Sequence, residues 1–144
     1  MTFELSLDVA APPAEVFAFV ADFTTTPQWY SAVHKVERVE GTGEVGTRYK
    51  VHRNLPGGPA LNEVAITSYT QGEEVTFTSL SGPTPFVYRY HTQSTKDGTR
   101  LTLEGTISAA GLKAPAGLLG PLAEKIFSRG MRDNLGTLAK LLER

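Results

Sequence analysis

One guanidinium, three phenols and a carboxamide lie on the apolar sides of alternating segments, and these are the groups in the chain that could do more than pack. Successive side chains of a strand point to opposite faces. In the run from Arg48 to Arg53, Tyr49 and Val51 therefore carry Arg53 to the apolar face and leave Arg48, Lys50 and His52 outside. Val64 and Ile66 set the parity of the next segment and bring Asn62 and Ser68 inward. Val75, Phe77 and Ser79 share a face, as do Phe86, Tyr88 and Tyr90, and then Leu101, Leu103, Gly105 and Ile107. Arg53 among such groups can hold a carboxylate or phenol as a static anchor. It can equally stabilise a developing enolate, with Tyr49 or Tyr88 as the partner acid, so these three residues are the catalytic candidates. In the plainer alternative the tyrosines pack with hydroxyls at the rim and the Arg53 head reaches water at a strand end.

Other chemistries find no support. The chain has no cysteine, which removes thiolate metal sites, disulfides and a cysteine nucleophile together. His34, His52 and His91 fall on outward positions without the spacing of paired ligands, so no metal site is expected. No G-x-S-x-G stretch exists, and no inward histidine or carboxylate is expected that could act as a base. Gly41-Thr42-Gly43-Glu44-Val45-Gly46 spells G-x-G-x-x-G, but it joins two antiparallel strands instead of a strand and a helix, and reads as a turn.

The elements that must position these groups follow from periodicity and turn chemistry. Phe3, Leu5, Leu7 and Val9 alternate with polar residues as a first strand. Ala11-Pro12-Pro13 ends it and opens a short helix with Val16, Phe17, Val20 and Phe23 on one side. A second short helical segment is expected near Thr26 as N-cap, with Pro27 at its first position. Turn signals at 41–43, 56–59, 71–72, 82–83 and 97–98 then delimit strands at about 33–40, 46–54, 60–69, 74–81, 85–94 and 99–108. Short connections make consecutive strands antiparallel neighbours. The 56–59 segment is a hairpin tip or a lid. From about Ala116 to Leu142 the apolar positions Leu119, Leu122, Ala123, Ile126, Phe127, Met131, Leu135, Leu138 and Leu142 predict a long helix, on the order of 40 Å. If it lies across the sheet, Ile126, Phe127, Met131 and Leu135 should be buried. Gly130 and Gly136 inside it call for close packing or deliberate space.

Composition bounds the function. With 144 residues, 40% hydrophobic and 20% charged, the chain reads as one domain, 1–144, with a core that needs no staples. Fourteen basic against fifteen acidic residues leave a net charge of -1, which gives no field to draw nucleic acid or an anionic membrane. No leader or membrane span is read, so the expected compartment is the cytoplasm and the expected assembly a monomer or homodimer.

Strand, two short helices, six antiparallel strands and one long terminal helix is the order of an α+β helix-grip fold. The chain resembles the START/Bet v 1-like (SRPBCC) superfamily, in its bacterial polyketide cyclase/dehydrase-like branch. The likeness is carried by Ala11-Pro12-Pro13-Ala14-Glu15-Val16-Phe17, by Asp22 leading to Pro27-Gln28-Trp29, by Val45-Gly46-Thr47-Arg48-Tyr49, and by Gly98-Thr99-Arg100-Leu101-Thr102 before the terminal helix. It covers nearly the whole chain. The resemblance implies a seven-stranded curved antiparallel sheet around the C-terminal helix, with a cavity between them for an apolar or aromatic small molecule and no cofactor. Its expected lining is Trp29, Tyr49, Val51, Arg53, Asn62, Val64, Ile66, Phe77, Ser79, Tyr88, Tyr90, Leu103, Phe127 and Met131. The alternative is a polyketide cyclase/dehydratase-type enzyme using the same cavity.

Overall fold

The computed structural model of the chain describes residues 1–55, 57–108 and 121–143, with the backbone alone for 121–124. Strand β1 (Thr2–Val9) alternates as its sequence demands and stops where Pro12 and Pro13 forbid further ladder bonds. Helix α1 (Pro13–Ala21) buries Val16, Phe17 and Val20. A 3₁₀-helix (Phe23–Gln28) follows after Asp22, four residues earlier than expected from Thr26 as N-cap and Pro27 at the first position. Its cap is Asp22, whose Oδ1 accepts from the Thr24 N–H at 3.0 Å, while Pro27 sits inside it and Thr26 is buried. The Asp-Phe-Thr order supplies the cap before the proline can.

Six strands then run β2 (Val33–Glu40), β3 (Arg48–Leu55), β4 (Gly58–Thr70), β5 (Glu74–Ser81), β6 (Phe86–Thr95) and β7 (Gly98–Ile107). They form one open antiparallel sheet in the order β1-β7-β6-β5-β4-β3-β2. Every neighbour pair except β1 with β7 is a hairpin, so the first and last strands pair and put the ends of the sequence order side by side. Leu55 pairs with Gly58, which reduces the 56–59 segment to a two-residue connection and makes Gly58 and Pro59 part of β4. The 41–46 glycines join β2 to β3 as a turn. Gly41 takes φ +88°, and a Cβ there would lie 2.5 Å from Thr47 Oγ1, so this corner admits glycine alone.

Helix α2 (Pro121–Leu142) spans about 33 Å at 1.5 Å per residue. The part of the expected helix at 116–120 lies outside the described residues. Met131, Leu135, Leu138 and Ala139 form its buried stripe, in one core with Val9, Phe17, Val64, Phe77 and Leu103 of the other elements. Phe127 is half-buried and meets Phe3 edge-on at 5.4 Å. Ile126 is 60% exposed, against expectation. At 100° per residue it lies about 140° around the helix from Met131, and nine apolar positions are too many for one stripe. Among the described residues, Gly130 and Gly136 have no atom within contact distance of a would-be Cβ, so they face open space there.

Strand β4 breaks the expected parity. The β4–β5 register shifts between Ile66 and Ser68, so Thr67 and Ser68 both point outward and Tyr69 returns to the inner face, where its ring meets Phe17 at 5.7 Å. Ser68, expected inside, is exposed and donates to Glu74 Oε2 at 2.9 Å. A bulge of this kind leaves no mark in an alternating sequence.

Candidate functional site

Arg53 enters the inner face between Val33 and Ala60, its partners across the ladder in β2 and β4. Only 4% of it is exposed, so its head does not reach water at the strand end. Its Nε donates to Asn62 Oδ1 at 3.0 Å, and one terminal nitrogen donates to the Pro83 carbonyl at 2.7 Å and to the Thr84 hydroxyl. The guanidinium carbon stands 5.5 Å from the centre of the Phe86 ring. Asn62, fully buried, completes the bracket by donating to Pro83 O at 2.9 Å and Ser79 Oγ at 3.2 Å. Among the described residues no carboxylate pairs with Arg53. Burial lowers its pKa, partly opposed by the nearby Tyr88 and Tyr30 phenols. It is a desolvated cation held by neutral acceptors.

The loop that supplies two of those acceptors is strained. Thr84 has φ +47°, the left-handed region that a β-branched residue adopts at a cost of about 1–3 kcal/mol. Gly82 before it takes φ +104°, and a Cβ there would lie 2.4 Å from Leu61 O, so the loop runs tight against β4.

Beside Arg53 the Tyr30 and Tyr88 hydroxyls lie 3.4 Å apart, and Tyr88 stacks on Phe86 at 4.4 Å. Burial raises the pKa of both phenols and of Tyr90, and more weakly placed Tyr49 is raised for the same reason. These groups are hydrogen-bond donors at neutral pH. Tyr30, Tyr88 and Tyr90, with Arg53, Phe86, Phe23, Thr26, Val33 and Val51, line a cavity of about 10 Å³, room for a single water.

Of the expected lining residues, Val51, Arg53, Tyr88 and Tyr90 meet at this cavity. Tyr49, Val64, Ile66, Phe77 and Leu103 are buried in the surrounding core instead, with Phe77 between Tyr49 and Tyr90 at ring distances of 6.3 and 6.1 Å. Asn62 and Ser79 stand behind Arg53, and Met131 and Phe127 belong to the α2 packing. Trp29 is buried against Tyr30 and Tyr90, and its Nε1 has no hydrogen-bond partner among the described residues. Sequence reasoning missed Tyr30, Thr26 and Val33. Thr26 and Tyr30 come from the 3₁₀-helix and the bend after it, where no periodicity marks a face, and Val33 is the first residue of β2; Phe23 and Phe86, also outside the expected lining, complete the wall.

The outer face holds the remaining polar chemistry. His34 is exposed, His52 Nε2 lies 3.0 Å from Glu37, and His91 Nε2 lies 3.4 Å from Glu104. Glu74 is a buried carboxylate, but its partners Ser68, Thr76 and Arg89 place it outside, away from the cavity. Among the described residues no three histidine or acidic side chains are grouped to hold a metal ion. No helix among them is long and apolar enough to cross a membrane.

A family model described as polyketide cyclase/dehydrase and lipid transport matches residues 1–143. Among solved structures, a START superfamily protein from Mycobacterium smegmatis is similar with a TM-score of 0.80 at 16% identity, over 99% of this chain and 97% of that one. The Zhui aromatase/cyclase from Streptomyces sp. R1128 gives 0.75 at 19% identity, over 100% of this chain and 94% of that one. Ara h 8.0201 gives 0.71 at 19% identity, over 99% and 97%. At these identities the likeness is one of fold, and it is the helix-grip fold. No curated protein matches the chain by sequence.

Proposed function

The chain belongs to the polyketide cyclase/dehydrase and lipid transport family, and we propose on that premise that it binds an apolar or aromatic small molecule with an anionic or hydroxylated end. The observation that carries this reading is Arg53, a buried cation that among the described residues bonds neutral acceptors only, beside the Tyr30 and Tyr88 hydroxyls. Keeping a guanidinium out of water without a counter-ion is unfavourable, and an arriving carboxylate or phenolate removes that penalty. The aromatic walls supply the rest of the affinity, as in small-molecule sites generally.

Native mass spectrometry of the protein from its own host tests the reading, by whether an apolar molecule accompanies it. Arg53→Ala should then weaken an anionic apolar ligand by about 1.5–3 kcal/mol and leave its neutral counterpart nearly unchanged. Equal loss for both would sink the anchor role.

A second reading, an enzyme of the cyclase/dehydratase type, is favoured by the convergence of the same cation with two phenols, a set that stabilises an enolate as charge develops. Three of the structurally similar proteins bear aromatase/cyclase or ARO/CYC in their names. On this reading Arg53→Ala lowers turnover of a poly-β-keto thioester about a hundredfold or more while its affinity moves less. Absence of any Arg53-dependent product leaves the binder.

A further inference from the structure

A cavity that admits one water cannot hold an apolar small molecule, whose sites are typically about 300–1,000 Å³. For such a molecule to meet Arg53 at this cavity, something among the described residues next to Arg53 has to move. The ladder of β5 ends at Ser81 and that of β6 begins at Phe86, so residues 82–85 are tied down by what their own groups bond. At the far end Pro85 O accepts from the Ser108 N–H at 2.9 Å. In the middle, Pro83 O accepts from Arg53 and Asn62, and the Thr84 hydroxyl accepts from Arg53. Thr84 is held by these bonds in a left-handed conformation that a β-branched residue leaves readily when released.

We propose that residues 82–85 form a gate latched by Arg53, and that the anionic end of an apolar ligand, a carboxylate, sulfonate or phenolate, opens it by taking over the donors that Arg53 gives to Pro83 and Thr84. This rests on the ligand-binding reading above and adds to it how the site opens and why charge is the key. Exchanging a neutral carbonyl and hydroxyl for an anion strengthens the bonds of the guanidinium. The same exchange frees Thr84 from its strained φ, so the closed loop and the bound anion compete for one side chain. A neutral apolar molecule makes no such exchange and must wait for the loop to open by itself.

The test uses the full chain and two fluorescent probes of one scaffold, anilinonaphthalene sulfonate and the uncharged N-phenylnaphthylamine. In the wild type, the sulfonate should lower the backbone-nitrogen order parameters of Gly82 and Thr84 from about 0.85 toward about 0.6, while β5 and β6 stay rigid. The neutral probe, which takes no donor from Arg53 and waits for the loop to open by itself, should associate more slowly than the sulfonate. Thr84→Val, which keeps the branched shape and removes the acceptor, should speed association of both probes at least about fivefold. In the ligand-free protein both Thr84→Val and Arg53→Met should lower the order of Gly82 and the residue at 84. Unchanged order in both ligand-free variants overturns the latch, and an anion-bound loop as rigid as the free one overturns the key. If the variants loosen the loop yet neither probe binds any of the proteins, the ligand reading falls and the gate's role falls with it. If probes bind but association is insensitive to Thr84→Val, the ligand reading stands and the gate alone is refuted.

Discussion

Asn62→Ala tests the bracket around Arg53 most directly. The substitution removes the acceptor of the Arg53 Nε–H, one of the two donors to Pro83 O, and a bond to half-buried Ser79. A charged donor left buried without its acceptor costs about 1.5–3 kcal/mol, and the neutral bonds add about 1 kcal/mol because Pro83 O keeps Arg53. The expected loss is about 2.5–4 kcal/mol, or about 10 °C in Tm for a chain of this size. Arg53→Met removes the charge itself, so its own cost is small, about 0–2 kcal/mol, the lost bonds being offset by relief of desolvation. With the charge gone, Asn62→Ala loses its main penalty. The double variant should therefore be more stable than additivity allows by about 2 kcal/mol. Urea denaturation of the four proteins measures this directly. A coupling below about 0.5 kcal/mol would mean that Arg53 is solvated in the folded protein, and the reasoning would fail.

Ile126→Asp should change stability by no more than about 0.5 kcal/mol, whereas Met131→Ala, on the buried stripe of the same helix, should cost about 2–4 kcal/mol; chemical denaturation of both fixes the rotation of α2. Gly136→Ala should stabilise by about 0.5–1 kcal/mol, since the position is helical and a methyl group meets open space, and a lower melting temperature would show contacts absent from this structure. Alkaline stability should fall steeply above pH 10. Tyr30, Tyr88 and Tyr90 have pKa values raised in the fold above 10.0, so the unfolded chain loses protons that the folded one keeps, and stability present below pH 10 is lost as pH rises at about 1.4 kcal/mol per unit for each phenol. Urea midpoints at pH 9 and pH 11 check it, and Tyr88→Phe should flatten the dependence.

The strands were legible because alternation and turn residues are local properties. Every expected segment from Val33 to Ile107 begins and ends within two residues of its observed bounds. The inward parity of Tyr49, Val51 and Arg53 followed from the same rule. Ser68 did not, because a bulge depends on how β4 and β5 meet and not on either strand alone. The rotation of α2 was ambiguous for a related reason: Ile126 and Met131 are equally apolar, and only the shape of the sheet decides which is covered. The partners of Arg53 were the least visible. Pro83 and Thr84 read as turn residues, and nothing in a turn announces that it folds back over a guanidinium thirty residues earlier. Tyr30 shares this invisibility, since it reaches the cavity from a bend and not from a periodic element.

Trp29 is the single tryptophan of the chain, and its buried indole N–H has no partner among the described residues. An indole shielded from water and from hydrogen bonding emits at the blue end of its range, so the native protein should show one homogeneous, short-wavelength intrinsic fluorescence band. Tyr90 stands 6.5 Å away and Tyr30 5.7 Å, close enough for both phenols to pass excitation energy to it. Both also line the cavity. Light absorbed at the cavity wall is thus collected by a chromophore just behind it, and any occupant that absorbs in the same range, shifts a tyrosine ring or lets water reach the indole will alter that emission without a label.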